Sequence, residues 1–301
     1  VRHCDAMISV PQLLGAVAGV GVIVGIASTL AAISLHRALL GRKKQEGGSK
    51  IPITFREVSK NHFSVVLNGQ LKSSLAIRWF GPKFSPKDVP RFYDVASITE
   101  QPVAFKALVD VFTARYGRGG PRGGPTKIVG YDARGFILGA AVAVALGLPL
   151  VLLRKDRKNP GVLVESAAYD KEYHEAAAER MCLRLGSVGP GDRVVLIDDL
   201  IATGGTALSG IELVVALGAT VHEFAAVIEL PELSGIDKIR SADGGRYRDV
   251  PVFTLLVDSD LGPEACWDPS DWKEGGRIIE LADAKRVQAK YSFKLDHAVS
   301  V

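Results

Sequence analysis

Apolar and polar residues are unevenly spread along this chain. Runs of large apolar residues recur at 127–130, 148–153, 194–197, 219–230 and 250–257, and they read as strands buried in a sheet. Between them apolar residues return at helical spacing. Phe105, Leu108, Val109 and Phe112 share one face of a helix over 102–116, and further helices are expected from Phe136 up to Leu146, over 207–217 and over 233–241. Residues 51–80 read as a small first module of short strands and a helix. Strands alternating with helices imply an α/β fold, a mainly parallel twisted sheet flanked by helices.

The connecting segments carry signals of their own. Prolines within 84–95 exclude continuous helix and leave an apolar loop with one arginine, Arg91. Residues 116–126 are rich in Gly and Pro, but they precede a strand instead of following one. They read as a flexible surface loop and not as a phosphate loop. The stretch 258–272 is acidic and loop-like, and its Trp267 and Trp272 read as packing residues.

The N-terminus differs in kind. No charged residue occurs over 6–35, and 13–35 is long enough to cross a membrane as a helix. Gly15 and Gly19, then Gly21 and Gly25, have the spacing of close-packed membrane helices. Arg37, Arg42, Lys43 and Lys44 follow, which predicts an anchor with the large domain on the cytoplasmic side. A cleaved targeting segment and a non-native leader are the alternatives, the small-residue run 28–32 favouring cleavage. Residues 41–50 read as a polar linker.

Composition narrows the function classes only a little. The chain has 301 residues, 47% of them hydrophobic, and a net charge of +4, with no basic stripe carrying interleaved aromatics, so nucleic acid is not favoured as a partner. Cys4, Cys182 and Cys266 are scattered and give no disulfide or metal framework.

The candidate chemistry centres on 194–206. An apolar strand leads into Asp198 and Asp199, then Ala202, Thr203, Gly204, Gly205 and Thr206, then a helix. Strand, small-residue loop and helix in that order aim backbone N–H groups at an anion. Paired carboxylates beside such a cradle make sense if the ligand also offers a diol, because an ionised carboxylate only accepts hydrogen bonds. A phosphate and a diol on one small molecule describe a ribose 5-phosphate. Read separately, a Gly-rich loop is a weak signal and an Asp-Asp pair fits a solvated strand end. The loop lacks the lysine of a nucleotide-triphosphatase P-loop. A second strand–loop–helix unit holds Asp132 and Arg134, where Arg134 suits a pyrophosphate or, alternatively, a salt bridge with Asp132. The charge run 154–158 reads as a solvated turn and Glu172 as surface charge on composition alone.

The ordered stretch Asp-Asp-Leu-Ile-Ala-Thr-Gly-Gly-Thr over 198–206 resembles the phosphoribosyl-pyrophosphate motif of the type I phosphoribosyltransferases, in the wording of the adenine branch. The resemblance runs over about residues 55–257, and the segment 84–95 is most similar to trypanosomatid members. It implies transfer of phosphoribosyl from phosphoribosyl pyrophosphate to adenine, giving AMP and pyrophosphate. It implies catalytic roles for Glu172, as proton acceptor for the purine, and for Arg134 and Lys155 at pyrophosphate. Asp198 and Asp199 would take the ribose, and Ala202, Thr203, Gly204, Gly205 and Thr206 the 5-phosphate. Asp132, Arg154, Lys158 and Tyr173 would complete the substrate site, with Val89 and Arg91 along adenine, partly through backbone groups, and Leu200 and Leu230 beside it. Mg²⁺ would be held mainly by substrate and water near Asp198 and Asp199, without direct protein ligands. His174 falls outside the pattern and reads as an exposed polar residue. The family pairs as homodimers, so a homodimer is expected. The implied organisation is an anchor and linker at 1–50, a hood segment at 51–100, a phosphoribosyltransferase core at 101–260 and an extension at 261–301. A different base, or a non-catalytic nucleotide-binding regulator or scaffold on this fold, remains the alternative.

Overall fold

The computed structural model describes residues 52–85, 89–155, 159–167, 180–267, 278 and 280–286. Seven strands form one sheet: β1 (Phe55–Ser59), β2 (His62–Val65), β5 (Lys127–Tyr131), β6 (Leu150–Leu153), β9 (Arg193–Ile201), β10 (Thr220–Glu229) and β11 (Val252–Val257). Their order is β1-β2-β11-β10-β9-β5-β6, antiparallel between β1 and β2 and parallel at every other pairing. Two small ribbons stand apart, β3 (Arg78–Phe80) with β4 (Phe92–Asp94), and β7 (Leu163–Glu165) with β8 (Cys182–Arg184).

Burial on both faces explains the continuous apolar runs. On β9, Val195 and Ile197 face a core filled by α1 (Gly69–Leu75), α3 (Pro102–Tyr116) and α4 (Arg134–Leu146). Val194 and Leu196 face a second core filled by α5 (Gly205–Ala216) and α6 (Gly235–Gly245). The Asn68 side chain caps α1 by accepting from the Leu71 N–H at 2.7 Å, and Pro102 opens α3, where its missing N–H costs nothing. α2 (Ala96–Thr99) is a single turn between β4 and α3. Because the strands run parallel, the β5–α4, β9–α5 and β10–α6 loops all emerge at one edge, where open α/β sheets bind ligands.

Three features depart from expectation. The first two strands do not make a separate module: β2 pairs in parallel with β11 and extends the large sheet, giving β11 its second neighbour. Helix α4 begins at Arg134 itself, so that residue sits in a helical first turn and not in a loop. The Gly- and Pro-rich segment after α3 is tied down, because Arg122 donates to the His222 carbonyl and lies 3.6 Å from Glu223. Among the described residues no helix is long and apolar enough to cross a membrane, and the leader over 13–35 lies outside them.

Glu223 is the centre of a buried ionic cluster on the α3 side. Arg115 grips it at 2.5 and 2.7 Å, and the Tyr116 hydroxyl donates to it at 2.7 Å. Both charged side chains are sealed from water, and the Arg115 guanidinium lies 4.5 to 5.2 Å from the ring centres of Phe253, Phe63 and Phe55. Burial, then the Glu223 charge, pushes the Tyr116 phenol well above its usual range, so it stays a neutral donor. Glu223→Ala leaves a buried guanidinium without its counter-charge, and we expect it to lower unfolding free energy by about 3–5 kcal/mol in urea titrations.

Candidate active site

The site grows from the carboxyl end of β9. Asp198 and Asp199 are buried there, and the chain continues through Ala202, Thr203 and Gly204 into α5. Gly204 has φ +78°, and a Cβ on it would collide with the Gly235 carbonyl. In turn, Gly235 at the start of α6 packs its backbone against the Ala202 carbonyl. Ala202, Gly204 and Gly205 are buried, while Thr203 and Thr206 are half-exposed at the mouth of α5. The first-turn N–H groups of α5, with two threonine hydroxyls beside them, form an arrangement suited to an anion.

Arg134 arrives from the neighbouring loop. The Asp132–Ala133 peptide is cis, and α4 starts directly after it. Gly135 lets α4 press against β9, since a Cβ there would collide with the Ile197 carbonyl. The result is an ion pair between Arg134 Nε and Asp199 Oδ2. The salt bridge between Arg134 and Asp132, the plain structural alternative for this residue, does not form. Asp132 turns instead toward the end of β6, with its carboxylate 4.0 Å from Arg154 Nε and 3.5 Å from the Lys155 N–H. Arg154 is further fixed by paired backbone hydrogen bonds to Cys182.

The charges are strongly coupled. Burial, reinforced by the Asp199 charge, raises the Asp198 carboxyl well above the usual carboxylate range, and its Oδ1 accepts the Asp199 N–H at 2.9 Å. Burial works against the Arg134 cation, but Asp199, then Asp198 and Asp94, outweigh it and raise its pKa. Asp94, at the end of β4, is itself raised by burial, which the N–H groups of Ser97 and Ala96 and the Arg134 charge only partly offset. Sequence reading missed Asp94. Its only signal is a polar residue ahead of a short helix, which looks like an ordinary cap.

The remaining candidates fall into two groups. Arg91 lies with its guanidinium 4.8 Å from the Trp79 ring centre and donates to the Leu261 carbonyl at 3.3 Å. Val89 is half-buried two residues earlier. Leu200 and Leu230 pack partly buried against the α3-side core, and Leu230 N–H bonds the Ile201 carbonyl at 2.9 Å. Trp267 packs against Phe80 at 5.5 Å, the packing role expected of it. Lys158, Glu172, Tyr173, His174 and Trp272 lie outside the described residues.

A parallel sheet with an acidic pair and a glycine loop at one strand end, and an arginine reaching over from the next, is the arrangement of a phosphoribosyltransferase. The family model of the phosphoribosyl transferase domain matches residues 94–263, more than half of the chain. An adenine phosphoribosyltransferase of Mannheimia succiniciproducens is 47% identical over 171 residues, covering 57% of this chain and 87% of that protein. The crystal structure of the Trypanosoma brucei adenine phosphoribosyl transferase with AMP, pyrophosphate and ribose-5-phosphate is 43% identical with a TM-score of 0.71, covering 78% of this chain and 99% of that one. The Leishmania donovani enzyme is 45% identical with a TM-score of 0.70, covering 79% and 99%. This chain belongs to the adenine phosphoribosyltransferase family.

The buried acidic pair makes a stability prediction. A carboxyl whose folded pKa is raised binds its proton more tightly in the folded state, so its contribution is full below the unfolded pKa, about 3.9, and is lost as pH rises through the folded value. Asp198→Asn keeps the acceptor oxygen and removes the charge. We expect it to stabilise the ligand-free protein by about 1 kcal/mol or more at pH 7, with the gain fading below about pH 4, as read by thermal or urea unfolding across pH.

Proposed function

We propose that this chain catalyses adenine plus phosphoribosyl pyrophosphate to AMP plus pyrophosphate, a purine-salvage step. The observation that carries the reading is the meeting of Arg134, Asp199 and the Gly204–Gly205 loop beyond the carboxyl ends of the neighbouring strands β5 and β9. The chain's 43–47% identity to adenine phosphoribosyltransferases supports the choice of base. A purine ring nitrogen bonds to the ribose anomeric carbon while the bond from that carbon to pyrophosphate breaks, with positive charge developing on the ribose ring. Little covalent chemistry falls to the protein. It has to position the two reactants and stabilise charge on the leaving group.

In this reading Asp198 and Asp199 accept hydrogen bonds from the ribose hydroxyls. Ala202, Thr203, Gly204, Gly205 and Thr206 hold the 5-phosphate. Arg134 and Lys155 face the departing pyrophosphate, supported by Asp132, Arg154 and Lys158. Glu172 takes the purine proton and Tyr173 steadies the loop that carries it. Val89, Arg91, Leu200 and Leu230 border adenine. Two adjacent carboxylates of which Asp199 already pairs with an arginine are a poor cage for a bare cation. They suit Mg²⁺ that keeps most of its water and would be held mainly by substrate phosphates close to the carboxylates, without direct protein ligands. When bound, the ion neutralises charge on the pyrophosphate.

The wider organisation follows the same proposal. Residues 51–100 supply the hood over the base, except that β1 and β2 belong to the large sheet of the core, with 101–260 the rest of the catalytic core, 261–301 an extension, and residues 1–50 a membrane anchor and linker that keep the domain cytoplasmic. A homodimer is supported by α4, which carries no charge after Arg134 and exposes Ile137 at 50% and Val144 at 84%.

The test is a base panel on the full chain with phosphoribosyl pyrophosphate and Mg²⁺, using adenine, hypoxanthine, guanine, xanthine, uracil and orotate. AMP formed from adenine alone is expected, and product from a different base instead overturns the base assignment. Glu172→Gln should lower kcat by about a hundredfold or more with little change in KM for phosphoribosyl pyrophosphate, and unchanged turnover removes Glu172 from the mechanism. Arg134→Ala should raise KM for phosphoribosyl pyrophosphate and slow release of pyrophosphate from the ribose. Normal kinetics would return Arg134 to a structural ion pair.

A further inference from the structure

The segment after β11 crosses the β3–β4 ribbon and ties to it at three side chains. The Trp79 indole N–H donates to the Gly262 carbonyl at 3.1 Å, and the Trp267 N–H bonds the Trp79 carbonyl at 2.9 Å. Arg91 donates to the Leu261 carbonyl at 3.3 Å while its guanidinium lies over the Trp79 ring. The Tyr93 hydroxyl donates to Asp258 at 3.3 Å. Trp79 and Tyr93 face each other in the ribbon register, so one tie falls on each strand. The crossing segment is itself fixed to the sheet. Asp260 accepts the Val257 N–H at 2.9 Å and closes the turn that leaves β11, and Leu261 is buried in the α3-side core. The family model matches up to residue 263, and Cys266 and Trp267 complete the crossing just after it.

We infer that Trp79, Tyr93 and Asp258 are positioning residues that set Arg91 for the base. The inference rests on the reading above in which Arg91 borders adenine. A free arginine samples many rotamers, and holding it ready for a planar ligand lowers the cost of binding. Here the cation is located at two points, by its face on the Trp79 ring and by one N–H on a backbone carbonyl. The Trp79 ring cannot turn to follow it, since its own N–H is committed to Gly262. A guanidinium has five N–H donors and two faces, so this clamp leaves donors and one face for a heteroaromatic ring. Burial and the Asp258 charge raise the Tyr93 phenol, which remains a neutral donor to Asp258 at working pH. The crossing segment thereby links the rigid end of β11 to the base subsite.

The experiment is steady-state kinetics with adenine and phosphoribosyl pyrophosphate varied separately, on Arg91→Ala, Trp79→Leu, Trp79→Phe, Tyr93→Phe and the Trp79→Leu/Arg91→Ala pair. Trp79→Leu loses a cation–π contact and an indole hydrogen bond, and we expect KM for adenine to rise about tenfold. KM for phosphoribosyl pyrophosphate should stay within about twofold, which also reports that the fold is intact. Trp79→Phe keeps the ring and should recover much of the loss, and Tyr93→Phe should raise KM for adenine about threefold. The paired variant should be no worse than Arg91→Ala, because the tryptophan acts through the arginine. If Arg91→Ala raises KM for adenine while Trp79→Leu and Tyr93→Phe do not, the positioning inference is overturned and the base assignment stands. Equal rises for both substrates also overturn it, because they mark general disorder. If Arg91→Ala itself has no effect, the assignment of Arg91 to adenine fails, and the inference falls with it.

Discussion

The site depends on how closely backbone can approach the carboxyl end of β9. Gly135 brings the first turn of α4 onto the Ile197 carbonyl, and Gly204 and Gly235 bring the β9–α5 loop and the start of α6 into direct backbone contact. Neither approach leaves room for a side chain. Arg134 follows directly: one residue before Gly135, it is carried to Asp199 by the same packing that seats the helix. The glycine loop is held open at a positive φ by the same kind of contact. Two elements that are far apart in sequence thus present a cation and an anion cradle with little freedom to drift, which is what positioning catalysis requires.

The two arginine–carboxylate pairs of the fold show opposite uses of one interaction. Arg115 and Glu223 are both sealed, the carboxylate takes a third donor from Tyr116, and aromatic rings surround the cation. Such a cluster resists any change of partner, because removing either charge strands the other. Arg134 has almost half its side chain exposed, while Asp199 is buried beside a second carboxylate held at raised pKa. That pair lacks a full set of internal donors. An incoming ligand that offers anionic oxygens to Arg134 and hydroxyls to Asp199 can divide it without leaving either charge bare. The buried acidic pair costs the empty protein stability, and the cost is recovered when a ligand's donors reach the carboxylates.

Much of this was legible in the chain because strands buried on both faces leave long apolar runs and because short loops between strand and helix keep their order. The helix over Pro102–Tyr116 and the strands at Lys127–Tyr131 and Val252–Val257 follow from pattern alone. The placement of β1 and β2 did not, since short alternating strands do not specify a partner and the pairing with β11 spans about the whole domain. The Arg115–Glu223 pair was invisible for a related reason. A buried charge looks like a surface charge until its partner, over a hundred residues away, is known. Within the site, the acidic pair and the glycine loop are contiguous and could be read together. Asp94 and the Arg91 clamp are assembled from separate segments, and no local spacing announces them.

The clamp and the acidic pair meet through the β3–β4 ribbon, and this gives the site a mechanical order. Arg91 and Asp94 lie three residues apart on the strand side of that ribbon, one tied to the segment after β11 and the other contributing to the field on Arg134. A ribbon of three-residue strands has little stability of its own. Its position is set by what it is tied to, which is the end of β11 through Asp258 and Leu261. The base side and the pyrophosphate side of the proposed site therefore share one small support, anchored to the rigid sheet two strands away from the acidic pair. The two sides nevertheless have separate ties, Arg91 on the Trp79 ring and the Leu261 carbonyl and Asp94 on the Ser97 and Ala96 N–H groups, so each group is fixed for its own substrate and loosening the clamp falls on the base side.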